Sequence, residues 1–578
     1  MNSLTSFLYW VDALPARYWF GVWSTLSLVV LSAIIAWVIP LTTRRWNHPL
    51  AFTALLFVAL LAFRWPLIFD NRQFVNPDES QIIAGAIVLQ SSPVFWQSVD
   101  GTTHGPLVQW PLAALGAAGI RLDFTNARLF AAALVWLALV FTWRTLAQRF
   151  GDGLSRILIL PAAVLIITVQ YWDFTQYSTE QVPIFLLATA IWLLFRCIAP
   201  PQPARLWQLA GTGFLLGAVP FAKLQAAPIG LFIGGAGILL ILTERTLSSV
   251  DLRKMLLAFM GSALAFPVFI FLLLTFYNLW PEFWISYFEQ NIHYKNQIPI
   301  DWSQSVPRFR TMASITEQFS EYFYPLGSTA LGAFALRLLL RDRSHLRFTL
   351  FSIGLLGVSF YAVLAPNRQF LHYLQFSFLP LTLVAACAVG PLIQSTRSFR
   401  PRFFAFRPSP VAWALAFLFL TVGTHQLLGF LVGLPMPREG RFIERKGKLS
   451  RGPIAGFARY VTHPGESIAM WGWEPHHLVE ADRPHATREA HSALEIFESP
   501  YRDYFRGRYL DDLQRSNPPL FVDVVGPGSF YFTDRERYAH ETFPALADHI
   551  SARYRLVAEI ANARVYLRND RPFNPPAD

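Results

Sequence analysis

The sequence predicts an α-helical polytopic membrane protein of about twelve spans, with a small α/β domain at its C-terminal end. Three observations predict it. The 578 residues are 53% hydrophobic and only 15% charged, whereas soluble chains carry ~25% charged residues. Apolar runs of ~17–25 residues recur along the first three quarters of the chain. After Val432 the composition turns charged and soluble-like.

The runs lie near Tyr18–Leu41, Ala51–Phe69, Leu129–Thr145, Ile157–Gln170, Val182–Cys197, Leu206–Phe221, Ala226–Leu242, Met255–Tyr277, Tyr322–Leu340, Phe348–Leu364, Leu374–Ile393 and Val411–Val432. Alternate connectors are basic: Arg44 and Arg45; Arg144, Arg149 and Arg156; Arg196 and Arg205; Arg245, Arg253 and Lys254; Arg337, Arg341, Arg343 and Arg347; Arg397, Arg400, Arg402 and Arg407. Lys and Arg in short loops mark the cytoplasmic side. The opposite connectors hold Asp70, Asp78, Glu79, Asp100, Asp123, Asp173, Glu180, Glu282, Glu289 and Asp301, so they are expected to face outward.

The first outward loop, residues 70–126, is too long for a turn. Its segments Gln81–Gln90 and Pro106–Ile120 read as helices lying along the interface, separated by Ser91–Gly105. A second outward loop runs from Trp280 to about Glu317, and a third, short one from Pro366 to Tyr373. Beyond the Pro435–Gly440 linker, Ser467–Trp473 and Leu520–Val525 read as buried strands, and Arg555–Ile560 with Ala563–Leu567 as a closing pair. Pro453–Val461, Tyr501–Arg515 and Phe543–Tyr554 read as helices. The expected division is a transmembrane domain over 1–433 and an extracytoplasmic α/β domain over 434–578.

Several classes are disfavoured. The net charge is +11, yet the basic residues are dispersed between apolar segments, which argues against a nucleic-acid partner. Cys197 and Cys387 have neither metal-ligand spacing nor an evident disulfide role. The N-terminus lacks the basic start of a cleavable signal. No Gly-rich loop of Walker or dinucleotide type is present.

The polar residues that remain gather at outward span ends. Asp78 and Glu79 follow a span, where desolvating a carboxylate is costly. As neighbours they do not share a helix face, so one can take a proton while the other holds a hydroxyl, a cation or a loop. The structural alternative is that Asp78 caps the helix after it, with Glu79 in its first turn. His104 stands before Pro106, either near an anionic ligand or as a polar interfacial histidine. Asp173, Tyr177 and Glu180 precede a span that Ser178 or Thr179 can cap. Lys223 is a single cation between two apolar runs, available to an anionic headgroup unless it merely snorkels. Arg368, with His372 and Tyr373, is the full positive charge of the short third loop. Carboxylates, cations and hydroxyls at headgroup depth suit one reaction. An acceptor hydroxyl attacks the anomeric carbon of a lipid-linked sugar, a carboxylate takes its proton, and cations stabilise the departing lipid phosphate.

These stretches resemble the GT-C superfamily of membrane glycosyltransferases, especially the branch of the protein O-mannosyltransferases and the lipid A aminoarabinose transferase. Pro77-Asp78-Glu79 is similar to the acidic motif of the first outward loop. His104-Gly105-Pro106-Leu107 resembles the basic-Pro-Pro-Leu element, with glycine replacing its first proline. Tyr177 to Pro183, Ala222-Lys223-Leu224 with Pro228, and Arg368 to Tyr373 with Pro380 resemble later elements, although Ala222 departs from a threonine-lysine pattern. Trp471-Gly472-Trp473-Glu474-Pro475 is similar to a segment of bacterial C-terminal domains. The resemblance implies catalysis at Asp78, as general base, and Glu79. It implies donor phosphate or sugar contacts at His104, Lys223, Arg368, His372 and Tyr373, and acceptor or supporting roles for Asp173, Tyr177 and Glu180. The implied partners are a polyprenyl-phosphate sugar donor, a glycan, lipid or protein acceptor, and membrane lipids, with the active site outside the inner membrane. No cofactor is called for, and the use of a divalent cation is left open because members of the superfamily differ. A lipid-diphosphate glycan polymerase or ligase, and a lipid-linked sugar transporter or flippase, are the alternatives.

Overall fold

The computed structural model describes residues 15–38, 47–69, 75–169, 171–197, 206–243, 249–297, 302–397 and 452–573. Eleven of the twelve apolar runs fall on helices there: Pro15–Val38, Pro49–Phe69, Phe124–Phe150, Asp152–Thr168, Gln181–Cys197, Leu206–Ala218 with its continuation to Phe221, Ala227–Leu242, Ser249–Phe276, Glu317–Leu339, Leu346–Leu364 and Gln375–Arg397. The run Val411–Val432 and the linker Pro435–Gly440 lie outside the described residues. So do Arg44, Arg45, Arg205, Arg245, Arg400, Arg402 and Arg407, and Asp70 and Asp301 of the acidic connectors. Among the described residues, seven helices are long and apolar enough to cross a membrane. The other four, Asp152–Thr168, Gln181–Cys197, Leu206–Ala218 and Glu317–Leu339, are shorter or more polar.

Local chemistry sets the helix ends. The Asp123 carboxylate accepts the Asn126 N–H at 2.9 Å and caps the Phe124–Phe150 helix, satisfying a donor that has no partner inside the helix. That helix runs into Asp152–Thr168 through Gly151 alone, at φ 76°, a conformation glycine adopts without a Cβ penalty. The central element is Gln375–Arg397, buried along most of its length. It packs against Phe124–Phe150, Asp152–Thr168, Glu317–Leu339 and Leu346–Leu364.

The first outward loop folds as expected into two helices, Pro77–Leu89 and Pro106–Ala117. Each starts with a proline in its first turn, where a missing N–H costs nothing. The second outward loop opens with Trp280–Asn296, one continuous helical stretch whose middle, Phe283–Glu289, is π-helical. Phe283 and Tyr287 from this stretch lie 5.1 and 5.7 Å from the buried Trp96 ring.

The C-terminal region holds a four-stranded sheet in the order β1 (Ile468–Trp471), β2 (Leu520–Asp523), β4 (Ala563–Arg568), β3 (Tyr554–Ile560). β1 and β2 are parallel and fully buried, as their continuous apolar runs require. β2–β4 and β3–β4 are antiparallel. Helices Pro453–Val461, Arg502–Ser516 and Pro544–Arg553 match the expected ones. A short helix, His476–Ala481, packs directly on Pro77–Leu89, which brings the sheet region against the acidic turn.

Candidate functional site

Asn76, not Asp78, caps the Pro77–Leu89 helix. Its side-chain oxygen accepts the Asp78 N–H at 2.9 Å. Both carboxylates fall in the first turn, where the helix dipole favours negative charge. Their surroundings differ completely. Glu79 is fully buried. Arg128 grips it with Nη2 at 2.7 Å from Oε2 and Nε at 3.1 Å from Oε1, and the Tyr177 N–H donates to Oε1 at 2.9 Å. Arg128 Nη1 also donates to the Leu67 carbonyl at 2.7 Å. Glu79 therefore ties together the end of Pro49–Phe69, the start of Phe124–Phe150 and the Tyr177 loop. Its carboxylate has no oxygen left for a substrate, which argues against the catalytic role expected for it.

Asp78 stays open. Its carboxylate makes no hydrogen bond among the described residues, and its side chain reaches solvent. The protein around it still thins its hydration, and this burial raises its pKa. His372 and Lys223 pull against that rise, whereas Asp173 and Glu180 add to it. A carboxylate with raised pKa and free oxygens is a suitable proton acceptor.

The groups that act on Asp78 form a buried cluster drawn from three distant segments. Lys223 pairs closely with Glu180 and donates to the Thr179 hydroxyl at 2.7 Å. It is buried, so it does not snorkel. Burial pushes the Glu180 carboxyl up, but Lys223 and His372 outweigh it and hold it at about 2. His372 stands between Asp173, 3.6 Å from Nδ1, and Glu180, 3.9 Å from Nε2. Lys223 also lies 5.2 Å from the centre of the Tyr373 ring. Gln375 steadies the Asp173 backbone carbonyl and Ser178, each at 3.2 Å. Arg368 is half-buried at the margin. Its Nη2 donates to Gln297 at 2.9 Å, and its guanidinium sits 4.7 Å from the Tyr294 ring centre. Its Nε is buried with no hydrogen-bond partner among the described residues.

Two expected residues behave differently. Tyr177 is buried, with its hydroxyl donated to the Val108 carbonyl at 2.6 Å; it packs and positions, and its hydroxyl is not offered to an acceptor. His104 is completely buried with both ring nitrogens unpartnered among the described residues. Burial, aided by Lys223, pushes it down to about 3. A neutral imidazole is a poor phosphate clamp, so the expected donor contact is not supported. The glycine that follows has its own reason. Gly105 N–H donates to the Ala222 carbonyl at 3.0 Å, and a Cβ there would stand 2.2 Å from the Phe221 carbonyl oxygen. A proline at 105 would lose that hydrogen bond and collide with the segment leading to Lys223.

The C-terminal region closes over this loop. Arg508 pairs with Asp100 at 3.0 Å and with Glu489. Asp100 N–H donates to the Arg488 carbonyl at 2.8 Å. Arg488 pairs with Glu282 at 3.1 Å and with Asp512 at 3.3 Å, and reaches the Trp96 carbonyl at 3.5 Å. Burial also raises the nearby Glu495 carboxyl to about 8.

Sequence reading missed Arg128, Thr179, Gln297, Tyr294 and Gln375. Arg128 carried one signal: a lone cation one turn inside an outward helix start, in a stretch otherwise apolar. The neutral amide and hydroxyl partners carried none.

No sequence-family model matches the chain, and no curated protein does. Solved structures do. ArnT from Cupriavidus metallidurans bound to undecaprenyl phosphate matches at 15% identity over 89% of this chain and 97% of that one, with TM-score 0.55. The same protein in the apo state matches at 17% identity over the same shares, with TM-score 0.52. The archaeal oligosaccharyltransferase AglB from Archaeoglobus fulgidus, in complex with an inhibitory peptide and a dolichol-phosphate, matches at 11% identity over 83% of this chain and 70% of that one, with TM-score 0.42. The chain shares its fold with ArnT.

Proposed function

We propose that this chain is a GT-C glycosyltransferase that moves a sugar from a polyprenyl-phosphate donor to an acceptor hydroxyl, on the extracytoplasmic face of the inner membrane. The observation that carries the reading is Asp78: a carboxylate with raised pKa and no hydrogen-bond partner among the described residues, set before the Lys223–Glu180–His372–Asp173 cluster.

The acceptor oxygen bonds to the anomeric carbon while that carbon's bond to the phosphate oxygen breaks. Asp78 takes the acceptor proton. The leaving polyprenyl phosphate carries away the bonding pair and an added negative charge, which Arg368 and Lys223 meet. Arg368 is the readier of the two, since Lys223 is already matched by Glu180. His372 and Tyr373 line the donor side, Asp173 holds His372, and Glu79 is a positioning residue that fixes the turn bearing Asp78. The membrane domain, 1–433, carries the reaction, and the α/β domain, 434–578, shapes acceptor access.

Purified protein should transfer labelled sugar from a polyprenyl-monophosphate donor, and Asp78→Asn should lower kcat by about 10²–10⁴-fold. Wild-type turnover in Asp78→Asn would remove the base assignment. Transfer from a diphosphate donor alone would favour a polymerase or ligase. Lipid movement across vesicles without transfer would favour a flippase.

A further inference from the structure

Beyond the reaction, the C-terminal region presents a second constellation of ligating groups. Glu474, His476 and His477 each offer one donor atom, and the three atoms lie within 4.8 Å of one another. Glu474 Oε2 and His477 Nε2 are 3.1 Å apart. Donors at ~2.0–2.2 Å from a tetrahedral zinc ion stand ~3.4 Å from each other, so small rotations complete the set.

The backbone holds these side chains in place. Gly472 turns the chain out of β1 at φ 112°, where a Cβ would stand 2.5 Å from Val524. The Ser492 hydroxyl accepts the Gly472 N–H at 2.6 Å. The second oxygen of Glu474 accepts the Phe530 N–H at 3.0 Å, the kind of outer hydrogen bond that orients a ligating carboxylate. One feature points to a missing ligand. His476 makes no hydrogen bond through either ring nitrogen among the described residues, although its ring lies 3.9 Å from that of His477. Glu474 and His476 keep solvent contact, which leaves an ion a way in.

A second acid–histidine group, Asp523, His540 and Glu541, also has the spacing. There a cation is already present: Arg535 lies 3.0 Å from Asp523 and 3.6 Å from Glu541. That group is a completed ion-pair network.

We propose that Glu474, His476 and His477 bind a divalent transition-metal ion of the zinc type, with water in the fourth position. One carboxylate and two imidazoles form a nitrogen-rich set that suits zinc better than calcium or magnesium. The histidines open the helix that packs on Pro77–Leu89. All three ligands come from one short stretch, so the ion fixes the turn that leads from β1 into this helix.

The test uses full-length protein in detergent, without a histidine tag and stripped by chelator. Zn²⁺ is titrated and bound metal measured after gel filtration; Co²⁺ is followed by visible absorption. Wild type should hold about one equivalent and show the tetrahedral Co²⁺ bands. Glu474→Gln and His476→Gln should each weaken Zn²⁺ binding by about tenfold or more, and His540→Gln should change nothing. Because Glu474 and His476 are partly exposed, both variants should fold, and the Co²⁺ spectrum of wild type stands independently of them. Absence of retained metal in wild type overturns the proposal. So does wild-type binding by Glu474→Gln and His476→Gln, or loss of binding in His540→Gln.

Discussion

Two buried acid–base pairs flank the acidic turn, and they are built to different standards. Glu79–Arg128 is closed. Both carboxylate oxygens are engaged, the contact is bidentate and charge-assisted, and a backbone N–H adds a further bond. Glu180–Lys223 is open. Oε1 collects Lys223 and the Thr179 hydroxyl, with His372 nearby, while Oε2 is buried without a partner among the described residues. An unsatisfied buried oxygen is costly, so it persists where something else needs the opening. On the proposed reading, the closed pair holds the fold and the open pair is left for a ligand.

Breaking each pair should separate these roles. Arg128→Ala strands a buried carboxylate and should cost about 3–5 kcal/mol of stability, read by denaturant unfolding in detergent. Lys223→Met should destabilise less, because His372, 3.9 Å from Glu180, can take up the charge. Its main effect should be a loss of about a hundredfold in kcat/KM for the lipid donor. Equal stability losses in the two variants would erase the contrast. Arg368→Lys keeps the charge but loses the planar fork; the donor KM should rise about tenfold while kcat changes less. An equal fall in kcat would mean that Arg368 acts in the transition state only. The smallest effect concerns pH. Asp78 must be ionised to accept a proton, so activity falls as pH drops through its pKa. Because that pKa is raised, the acid limb of kcat/KM should lie above the ordinary ~3.9 of aspartate. A limb at or below that value would mean that Asp78 is better hydrated than its surroundings suggest.

The membrane helices were legible because a bilayer imposes length and hydropathy directly on sequence. The strands were legible because β1 and β2 are buried on both faces and read as unbroken apolar runs. The residue types of the cluster were legible, since Lys223, Glu180, His372 and Asp173 each stand at a span end. Pairing was not. Glu79 meets Arg128 across 49 residues, and Gln375 meets Asp173 across 202; no local period encodes such distances. The cap was misread for a smaller reason: proline after Asn76 shifts the helix start back two residues, which moves Asp78 from the capping position into the first turn. His104 was misread because its charge depends on burial by elements far along the chain, and composition carries no record of that.

The Arg488 contact with Trp96 spans 392 residues, and this sets an order of events during biogenesis. A ribosome adding ~5–20 residues per second needs roughly 20–80 s to make the intervening chain. Throughout that time Asp100 lacks the Arg488 carbonyl and the Arg508 guanidinium that later hold it. The face that carries Asp78 is thus completed last, when the final quarter of the polypeptide folds back upon the first.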